Sequence, residues 1–548
     1  MDEKKHVVII GAGVGGTATA ARLSRQGFRV TVIEKNAFSG GRCSTLRHDG
    51  FRFDQGPTLY LMPKVFEAAF ADLDERIEDH VDLLRCENNY RLHFPDGDTI
   101  ELSSDLCRMQ QVMDRIEGQG GMGRFLRFLQ EAEVHHVRGT PIAIEQNFES
   151  IWDLVRYLPD IGRLHLFEKV YRRASTYFKT KKMRMAFTFQ TMYMGMSPYD
   201  APAVYSLLQY TECVEGIWYP RGGFHQVVQR LEQIAQEKFG ATFVYNAPVA
   251  KINTQGRRVT GVTLAGGEVI QADAVVCNAD LVYAYHRLLP PCAWTTRTLA
   301  AKQLTCSSIS FYWSMSQTIP ALDVHNIFLA EAYQASFDEI FQQHALPSQP
   351  SFYVHVPSRI DPSAAPPHKD AVIVLVPIGH MNQDPVNYDQ LVRQARSLVL
   401  DVLHRRLGLL LADWIEHEIV NDPRTWQAKF NLWKGSILGL SHHLLQVLWF
   451  RPSTKDASGR YDNLYFVGAS THPGTGVPIV LAGSKLTSDQ VCRGFGQVPL
   501  PRKNASHPPS LTPPFRPLWI LLALVVLGFL CSFSPLLLPM PVKIRMSV

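Results

Sequence analysis

Paired cysteines and long runs of one charge are both absent from this chain. The nine cysteines are scattered, odd in number and free of any Cys-x-x-Cys pair. They therefore indicate free thiols in a reducing compartment, and not a disulfide framework or a zinc site. The formal charge of +5 is small for 548 residues, and no long Lys/Arg run accompanies it. Nucleic acid is therefore not expected as a partner.

The residue sets of hydrolytic and metal enzymes are absent as well. No Ser/His/Asp arrangement, carboxylate pair or metal-ligand spacing can be picked out of the sequence. The histidine pairs at 135–136 and 442–443 consist of adjacent residues, whose side chains point apart on a helix or a strand. We therefore predict no metal site, and the sequence assigns no catalytic residue.

A secretory leader is not expected, because the apolar run Val7–Ile10 is too short and a glycine turn follows it at once. Residues 518–538 differ: they read LWILLALVVLGFLCSFSPLLL, without a charge. At ~1.5 Å per residue, a helix of this length spans roughly 30 Å, the thickness of a bilayer core. The alternative is a buried core helix. We expect a transmembrane helix, joined to the rest of the chain by the Pro/Ser-rich linker 496–517.

A glycine-rich turn between two apolar runs is the clearest feature that is present. Residues 6–34 read HVVIIGAGVGGTATAARLSRQGFRVTVIE, in which Gly11, Gly13 and Gly16 form Gly-x-Gly-x-x-Gly. With Glu34 closing the second run, the pattern is typical of a βαβ dinucleotide site, although glycines also serve ordinary turns. The glycines let a pyrophosphate reach the helix N-terminus. Glu34 can accept hydrogen bonds from a ribose diol and would repel the 2′-phosphate of NADP.

FAD and NAD can both use such a unit, and the residues that follow favour FAD. Residues 39–45 (SGGRCST) form a second glycine turn that carries Arg42, and residues 51–58 (FRFDQGPT) come next. They would bring a cation and more backbone N–H groups to the same dinucleotide, which a larger flavin needs and an NAD domain does not. We therefore expect FAD, with NAD as the alternative or as the terminal electron acceptor.

Several blocks along residues 6–495 resemble the CrtI-type phytoene desaturases, within the wider group of flavin amine oxidases. Besides the first glycine turn they include FDQGPT (53–58), YPRGG (219–223), ADAVVCNAD (272–280) and, most specifically, NLYFVGASTHPGTGVPIVLAGSK (463–485). The resemblance implies that the C-terminal glycine loop returns beside the N-terminal one and closes over the flavin. The expected FAD-binding residues are Gly11, Gly13, Gly15, Gly16, Glu34, Lys35, Gly41, Arg42, Asp54, Gly56, Pro57, Thr58, Val249, Gly468, Gly476, Val477 and Pro478.

The implied fold is α/β, with a Rossmann-like FAD-binding domain assembled from discontinuous segments. Alternating apolar and polar residues with glycine turns predict strands and a hairpin within residues 241–280. An α+β domain would contact substrate and membrane, followed by the linker and the C-terminal transmembrane helix. The expected boundaries are 1–60, 220–310 and 450–495 for the FAD-binding domain, and 61–219 and 311–449 for the substrate domain.

The substrate side is expected in residues 183–212, which are rich in methionine, phenylalanine and tyrosine. Such side chains suit a long apolar ligand, but they are equally typical of a protein core. The resemblance favours a substrate channel. His472 could meet the substrate or support its loop, and Arg221 could be structural or catalytic.

By resemblance, the substrate is the C40 hydrocarbon 15-cis-phytoene, and successive FAD-dependent dehydrogenations would lead to lycopene or beyond. The alternatives are a later-pathway carotenoid desaturase, a retinol saturase or an amine oxidase of the same fold, or a non-catalytic Rab escort-like binding protein. An apolar substrate and a terminal span together predict a membrane protein. We expect a single-pass C-terminal anchor that holds the enzyme on the cytosolic side of the endoplasmic reticulum, as in a fungal member.

Overall fold

Five parallel strands from the beginning, middle and end of the chain form one sheet, here called the parallel sheet. It belongs to residues 4–382 and 385–501, the part of the chain that this computed structural model describes. The strands are short apolar runs, and the central ones are buried on both faces, as a parallel sheet between helices requires. From one edge to the other the strands are Leu464–Phe466, Ala274–Cys277, His6–Ile10, Arg29–Ile33 and Thr242–Val244.

Helix Val14–Arg25 covers one face of the parallel sheet and contacts two helices from distant parts of the chain. These are His225–Gln233 and the 18-residue helix Val477–Gly494. Ala18 and Ala21 are completely buried, or nearly so, in the core they share. Because these side chains are small, the C-terminal helix can lie close to the first glycine turn.

A separate antiparallel sheet of three strands follows the parallel-sheet strand Thr242–Val244 in the chain, as the alternation within 241–280 predicts. Its strands are Val249–Gln255, Arg258–Leu264 and Val269–Gln271. At Gly261, φ is +145° and a Cβ would lie 2.0 Å from the carbonyl oxygen of Ile270. A side chain is therefore excluded where the second and third strands meet.

A seven-stranded mixed sheet forms the second layer of the molecule, together with two short two-stranded pairs. Strand Ser307–Met315 of this sheet begins inside segment 220–310, which is predicted for the FAD-binding domain. The strands of the parallel sheet all lie within the segments predicted for that domain. The domain boundaries themselves stay a prediction. The strands of the mixed sheet, in spatial order, are Ile415–Asn421, Ser307–Met315, Ala371–Ile378, Phe352–His355, His325–Phe328, Tyr90–His93 and Thr99–Leu102. The two pairs are Thr45–His48 with Phe51–Asp54, and Leu83–Arg85 with Trp218–Pro220.

Helices between residues 106 and 210 cover one end of the mixed sheet, and five more helices lie elsewhere in the described part of the chain. A π-helical turn, His135–Gly139, interrupts the first group. That group consists of Leu106–Glu117, Gly121–Val134, Thr140–Ile144, Ile151–Arg156, Leu158–Ile161, Val170–Ala174, Lys181–Ala186 and Leu207–Tyr210. The others are Pro63–Ala71, Leu281–Tyr283, Tyr333–Phe341, Tyr388–Leu407 and Pro423–Phe430.

The structure does not support the expected single-pass anchor, and we correct that prediction. Within the described ranges 4–382 and 385–501, no helix combines the length and apolar character needed to cross a bilayer. The two longest, Tyr388–Leu407 and Val477–Gly494, each carry several charged residues. The span predicted at 518–538 lies outside the described residues.

A single buried arginine, Arg451, connects two loops that lie beside the C-terminal glycine loop. Its guanidinium donates to the carbonyl oxygens of Ser441 and Gln446, each at 3.0 Å, and of Leu440 at 3.2 Å. On the other side it donates to Thr471 at 3.2 Å and to Ala469. Five backbone acceptors therefore depend on one side chain.

Replacing Arg451 by methionine should destabilise the protein by about 3 kcal/mol or more, because several buried carbonyl groups would lose their donor at roughly 1–3 kcal/mol each. Urea unfolding of the purified variants measures this loss. Arg257→Met is the matched control, since Arg257 lies on the surface in an exposed ion pair with Asp462. Equal stability of the two variants would show that Arg451 does not hold the loops.

Candidate functional site

One large cavity, of about 650 Å³, lies at the carboxyl ends of the parallel strands and continues among the helices of residues 139–208. Gly11, Glu34, Asn278 and Gly468 each follow a strand of the parallel sheet, and all four line the cavity. Open parallel sheets bind their ligands at this edge. The polar part of the cavity is therefore where a dinucleotide would be expected.

The first glycine turn has no room for side chains. A Cβ on Gly16 would lie 2.0 Å from the carbonyl oxygen of Gly11, so Gly16 serves close packing and does not line the cavity. Gly13 and Gly15 face Asn278, whose side-chain atoms would be 2.7 Å and 2.6 Å from a Cβ at these positions. Asn278 also donates to the carbonyl oxygen of Gly11 at 3.3 Å. Only its place in the motif ADAVVCNAD pointed to this residue.

Glu34 is nearly buried and is positioned by backbone groups. One carboxylate oxygen accepts from the N–H of Ala12 at 2.9 Å, and the other accepts from the backbone and side-chain amides of Asn36 at 2.8 and 2.9 Å. The oxygen that accepts only from Ala12 keeps a lone pair for a further donor. The carboxylate thus fixes the glycine turn and can also receive a ribose hydroxyl.

The second glycine turn brings Arg42 to the cavity. Gly40 and Gly41 have φ of +92° and +55°, and Arg42 donates to the carbonyl oxygen of Ile437. Burial lowers the pKa of Arg42, while the charge of Asp280 opposes this effect. Asp280 also lines the cavity, where it accepts from Ser470 at 3.0 Å and from the N–H of Tyr283 at 3.0 Å. Sequence reasoning did not select Asp280.

Most of the residues expected to bind FAD line this single cavity, and two do not. Asp54 is buried elsewhere: it accepts from the Tyr219 hydroxyl at 2.6 Å and from the N–H of Phe224 at 2.8 Å. It thus holds the region behind the second glycine turn. Gly16 is the other exception. The residues that line the cavity are Gly11, Gly13, Gly15, Glu34, Lys35, Gly41, Arg42, Gly56, Pro57, Thr58, Val249, Gly468, Gly476, Val477 and Pro478.

The C-terminal glycine loop closes the cavity from the opposite side. Gly468, Gly474 and Gly476 have φ of +133°, +144° and +102°, a region that favours glycine. Gly476 is the N-cap of helix Val477–Gly494, so the free N–H groups and the positive end of the helix dipole lie at the cavity wall. This arrangement suits an electron-rich edge of a bound ring.

Two histidines support the loop. His442 lines the cavity, and its Nε2 accepts from the N–H of Thr475 at 3.2 Å. His472 does not line it: its Nε2 bonds to the carbonyl oxygen of Gln146 at 2.8 Å, and burial lowers its pKa to about 4. Arg221 lies at the surface in an ion pair with Asp82. For both His472 and Arg221 the structural interpretation therefore fits the observed contacts.

The methionine- and aromatic-rich segment divides between the cavity and the core. Phe189, Met192, Tyr193, Met194 and Tyr205 line the apolar half of the cavity. In contrast, Met183, Met185 and Phe187 are buried in a hydrophobic core cluster and do not line the cavity. The composition left two interpretations open, a ligand channel and a protein core. Residues of this segment contribute to the cavity wall at some positions and to the core at others.

One group of potential metal ligands occurs in the described part of the chain, namely Glu131, His135 and His165. His135 Nε2 lies 3.0 Å from His165 Nδ1, and its Nδ1 lies 2.8 Å from the Ser206 hydroxyl. Glu131 is paired with Arg173. These atoms already have partners, so the group carries no metal assignment.

The polar half of the cavity fits FAD on the chain's own geometry. Glycines at which a Cβ would clash form the turn, a positioned carboxylate stands at the second strand, and Arg42 and a helix N-terminus add positive charge for phosphates and the ring. Residues 14–492 match the flavin containing amine oxidoreductase family. The chain belongs to this family. It is a flavin-dependent oxidoreductase with FAD as its cofactor.

Similar proteins agree with the resemblance seen in the sequence, which is confirmed. A phytoene desaturase of Phycomyces blakesleeanus is 69% identical over 504 residues, which cover 90% of this chain and 86% of that protein. A zeta-carotene-forming phytoene desaturase of Myxococcus xanthus is 43% identical over 494 residues, covering 89% and 94%. The solved structure of cyclohexylamine oxidase from Brevibacterium oxydans has a TM-score of 0.54 at 16% identity, covering 90% of this chain and 99% of that chain. This last likeness shows the fold alone.

Replacing Gly476 by alanine should weaken FAD binding at least tenfold, which corresponds to about 1.4 kcal/mol. The nearest atom to a Cβ there is 3.6 Å away, so the penalty comes from φ of +102° and from the resulting shift of the helix N-terminus. FAD titration of the apoprotein measures the affinity. Gly459→Ala is the control, because Gly459 also has a positive φ, +68°, and has nothing within 4 Å of its Cβ position. The prediction fails if both variants bind FAD like the wild type.

Proposed function

We propose that this protein is an FAD-dependent desaturase of an acyclic C40 carotene, converting 15-cis-phytoene by successive dehydrogenations towards lycopene or beyond. The observation that carries the proposal is a single cavity with a dinucleotide-type polar half and an apolar half lined by phenylalanine, methionine, leucine and isoleucine. The relatives at 69% and 43% identity are named phytoene desaturases, which supports the same substrate class here.

The chain's own residues would bind the cofactor, orient the substrate and keep water out of the site. When bound, FAD supplies an acceptor for a hydride from a C–H group next to a double bond. Glu34, Arg42 and the start of helix Val477–Gly494 would hold the cofactor. A hydrocarbon has no hydrogen-bond donor or acceptor, so the apolar half of the cavity would orient it by shape. The same apolar side chains would exclude water.

The charge of the cavity disfavours an amine oxidase. Among the described residues that line it, the only acidic ones are Glu34 and Asp280, and both lie in the cofactor half. The apolar half therefore has no carboxylate that could pair with an ammonium group. A later-pathway desaturase differs from the proposal only in the apolar ligand, whereas a retinol saturase would also run the reverse reaction, adding hydrogen to a double bond. The intact cofactor residues argue against a non-catalytic binding protein.

Expression of the chain in a bacterium that accumulates phytoene should convert the colourless carotene into coloured, more unsaturated products. Absorbance and chromatography of the extracted pigments identify the products and the number of desaturations. Gly476→Val should abolish this conversion although soluble protein is still produced. Gly459→Ala, the control, should convert phytoene like the wild type. Unchanged phytoene with FAD-loaded wild-type protein would refute the proposed substrate.

We further propose that the protein takes its substrate from a bilayer through peripheral contact. Trp152, Phe167 and Leu445 are 69%, 75% and 44% exposed. In the chain they lie within two residues of Leu154, Leu166 and Leu444, which belong to a hydrophobic cluster or pack against it. The cluster members Ile142 and Leu164 also line the cavity. Exposed aromatic side chains next to such a cluster suit the membrane interface.

The double substitution Trp152→Glu/Phe167→Glu should reduce binding of the full chain to phosphatidylcholine vesicles at least fivefold in a flotation assay. The pair Val269→Glu/Leu410→Glu, at 51% and 60% exposed positions elsewhere, is the control and should bind like the wild type. Equal binding of both double variants would exclude this face as the contact.

A further inference from the structure

Glu212 is a buried carboxyl group that neither the cofactor site nor the substrate wall uses. It is 1% exposed, and no ion pair joins it to a cation among the described residues. Its Oε1 accepts from the Tyr90 hydroxyl at 2.8 Å, and its Oε2 accepts from Gln190 Nε2 at 3.1 Å. Gln209 donates to the oxygen of Gln190 at 2.9 Å and so fixes the direction of that amide. The carboxyl group is thus held in one orientation.

Tyr193 lies between this group and the cavity. Its ring lines the apolar half of the cavity, and its centroid is 6.4 Å from that of Tyr90. Its hydroxyl is buried and lacks a hydrogen bond of good geometry in the described part of the chain. Burial raises the pKa of Tyr193, and the charge of Glu212 raises it further, so the two groups sense each other. Tyr193, Tyr90 and Glu212 therefore form a short row that leads inward from the cavity.

We propose that this row carries away the proton that each desaturation removes, with Glu212 as its final acceptor. The inference rests on the proposed desaturase function. When bound, FAD would supply the acceptor for a hydride from one carbon, and the neighbouring carbon would lose a proton. The electron pair of the second C–H bond forms the new C=C bond. The proton passes to the Tyr193 oxygen as the Tyr193 proton moves to Tyr90 and the Tyr90 proton moves to the Glu212 carboxylate.

The hydrogen bonds observed at Glu212 fit the state before this transfer. Both carboxylate oxygens act as acceptors there, and Tyr90 donates inward. After the transfer, Glu212 would donate to Tyr90, Tyr90 to Tyr193, and Tyr193 towards the cavity. The row thus reverses direction without moving a heavy atom far. When the row reverses, the proton would return through the cavity to a quinone-type acceptor. This acceptor would reoxidise the flavin and take up two electrons and two protons for each desaturation.

A second row of polar groups also reaches the cavity, but its end is a weaker base. The Tyr353 hydroxyl lies 2.8 Å from the Thr58 hydroxyl and 2.7 Å from His325 Nδ1. Burial lowers the pKa of His325 well below its usual value, so this imidazole takes up a proton poorly. Burial instead raises the pKa of Glu212 to about 8. At pH 7 roughly a tenth of it is ionised, and an acceptor with a pKa near the working pH suits general base catalysis.

The titratable groups around Glu212 leave its ionisation simple to interpret. Tyr90 faces it from the mixed sheet, Tyr193 from the turn 189–194, and Cys213 follows it in the chain. Burial raises the pKa of Tyr90, Tyr193 and Cys213, so all three stay neutral through the range in which Glu212 ionises. Because the carboxylate is the competent form, the rate should rise with pH and level off above about 8.

The test is anaerobic, single-turnover reduction of the FAD-loaded enzyme by phytoene in detergent, followed by flavin absorbance between pH 6 and 9.5. Glu212→Gln mimics the protonated acid and should slow the reduction about 100-fold and remove the pH dependence. Tyr193→Phe should slow it comparably without weakening substrate binding. Glu212→Asp should recover part of the rate together with its pH dependence. Tyr333→Phe is the control: this buried tyrosine has the Thr188 hydroxyl at 3.5 Å and does not contact Glu212.

A second readout does not need activity. Infrared spectra of the apoenzyme should show a carboxylic acid C=O band that disappears on titration with a midpoint near pH 8, and this band should be missing in Glu212→Gln. The relay would be overturned if Glu212→Gln kept the wild-type rate and pH profile. It would also be overturned if Tyr353→Phe, which alters the second row of polar groups, were the one variant that slowed flavin reduction. Failure of wild-type enzyme to be reduced by phytoene would overturn the desaturase function and the relay together, so the two failures are distinguishable.

Discussion

The closed shape of the cavity depends on the guanidinium group of Arg451. This cation is buried and has no carboxylate partner among the described residues; five backbone carbonyl oxygens surround it instead. Burial lowers its pKa to about 10, so it keeps its charge at neutral pH. The carbonyl groups belong to two segments. Segment 440–446 contains His442, and segment 469–471 precedes Gly474 in the chain. One side chain therefore sets the path of the loop that meets the cofactor from its second side.

The sequence located most residues of the polar half of the cavity, because that half is made largely of backbone. Glycines at fixed spacing leave little freedom in what they can form, and Gly13, Gly15 and Gly476 line the cavity as expected. Side chains that act on this backbone were harder to find. Asn278 and Asp280 sit in a quoted motif without being selected, and Asp54 was selected although its partners are Tyr219 and Phe224. Motif membership locates a segment; it does not tell which side chain faces the ligand.

The substrate half could not be resolved from composition, for a physical reason. Met183 packs in a core and Met192 lines the cavity, yet both are methionines in one short segment. Packing and ligand contact demand the same apolar surface, and only the path of the backbone separates them. Similarly, Glu212 gave no signal, because a lone glutamate in a sequence reads as a surface residue. Its burial arises from strands and turns that are far apart in the chain.

Strand Leu464–Phe466 forms an edge of the parallel sheet, whose central strand is His6–Ile10. Helix Val477–Gly494 packs against helix Val14–Arg25. During synthesis, the first glycine turn leaves the ribosome long before its partners do. At about 5–20 residues per second, the delay is on the order of 20 to 90 s. Over this period the nascent chain exposes apolar strands that have neither their neighbour nor the cofactor. The cavity that would hold FAD is therefore complete only when translation has almost finished.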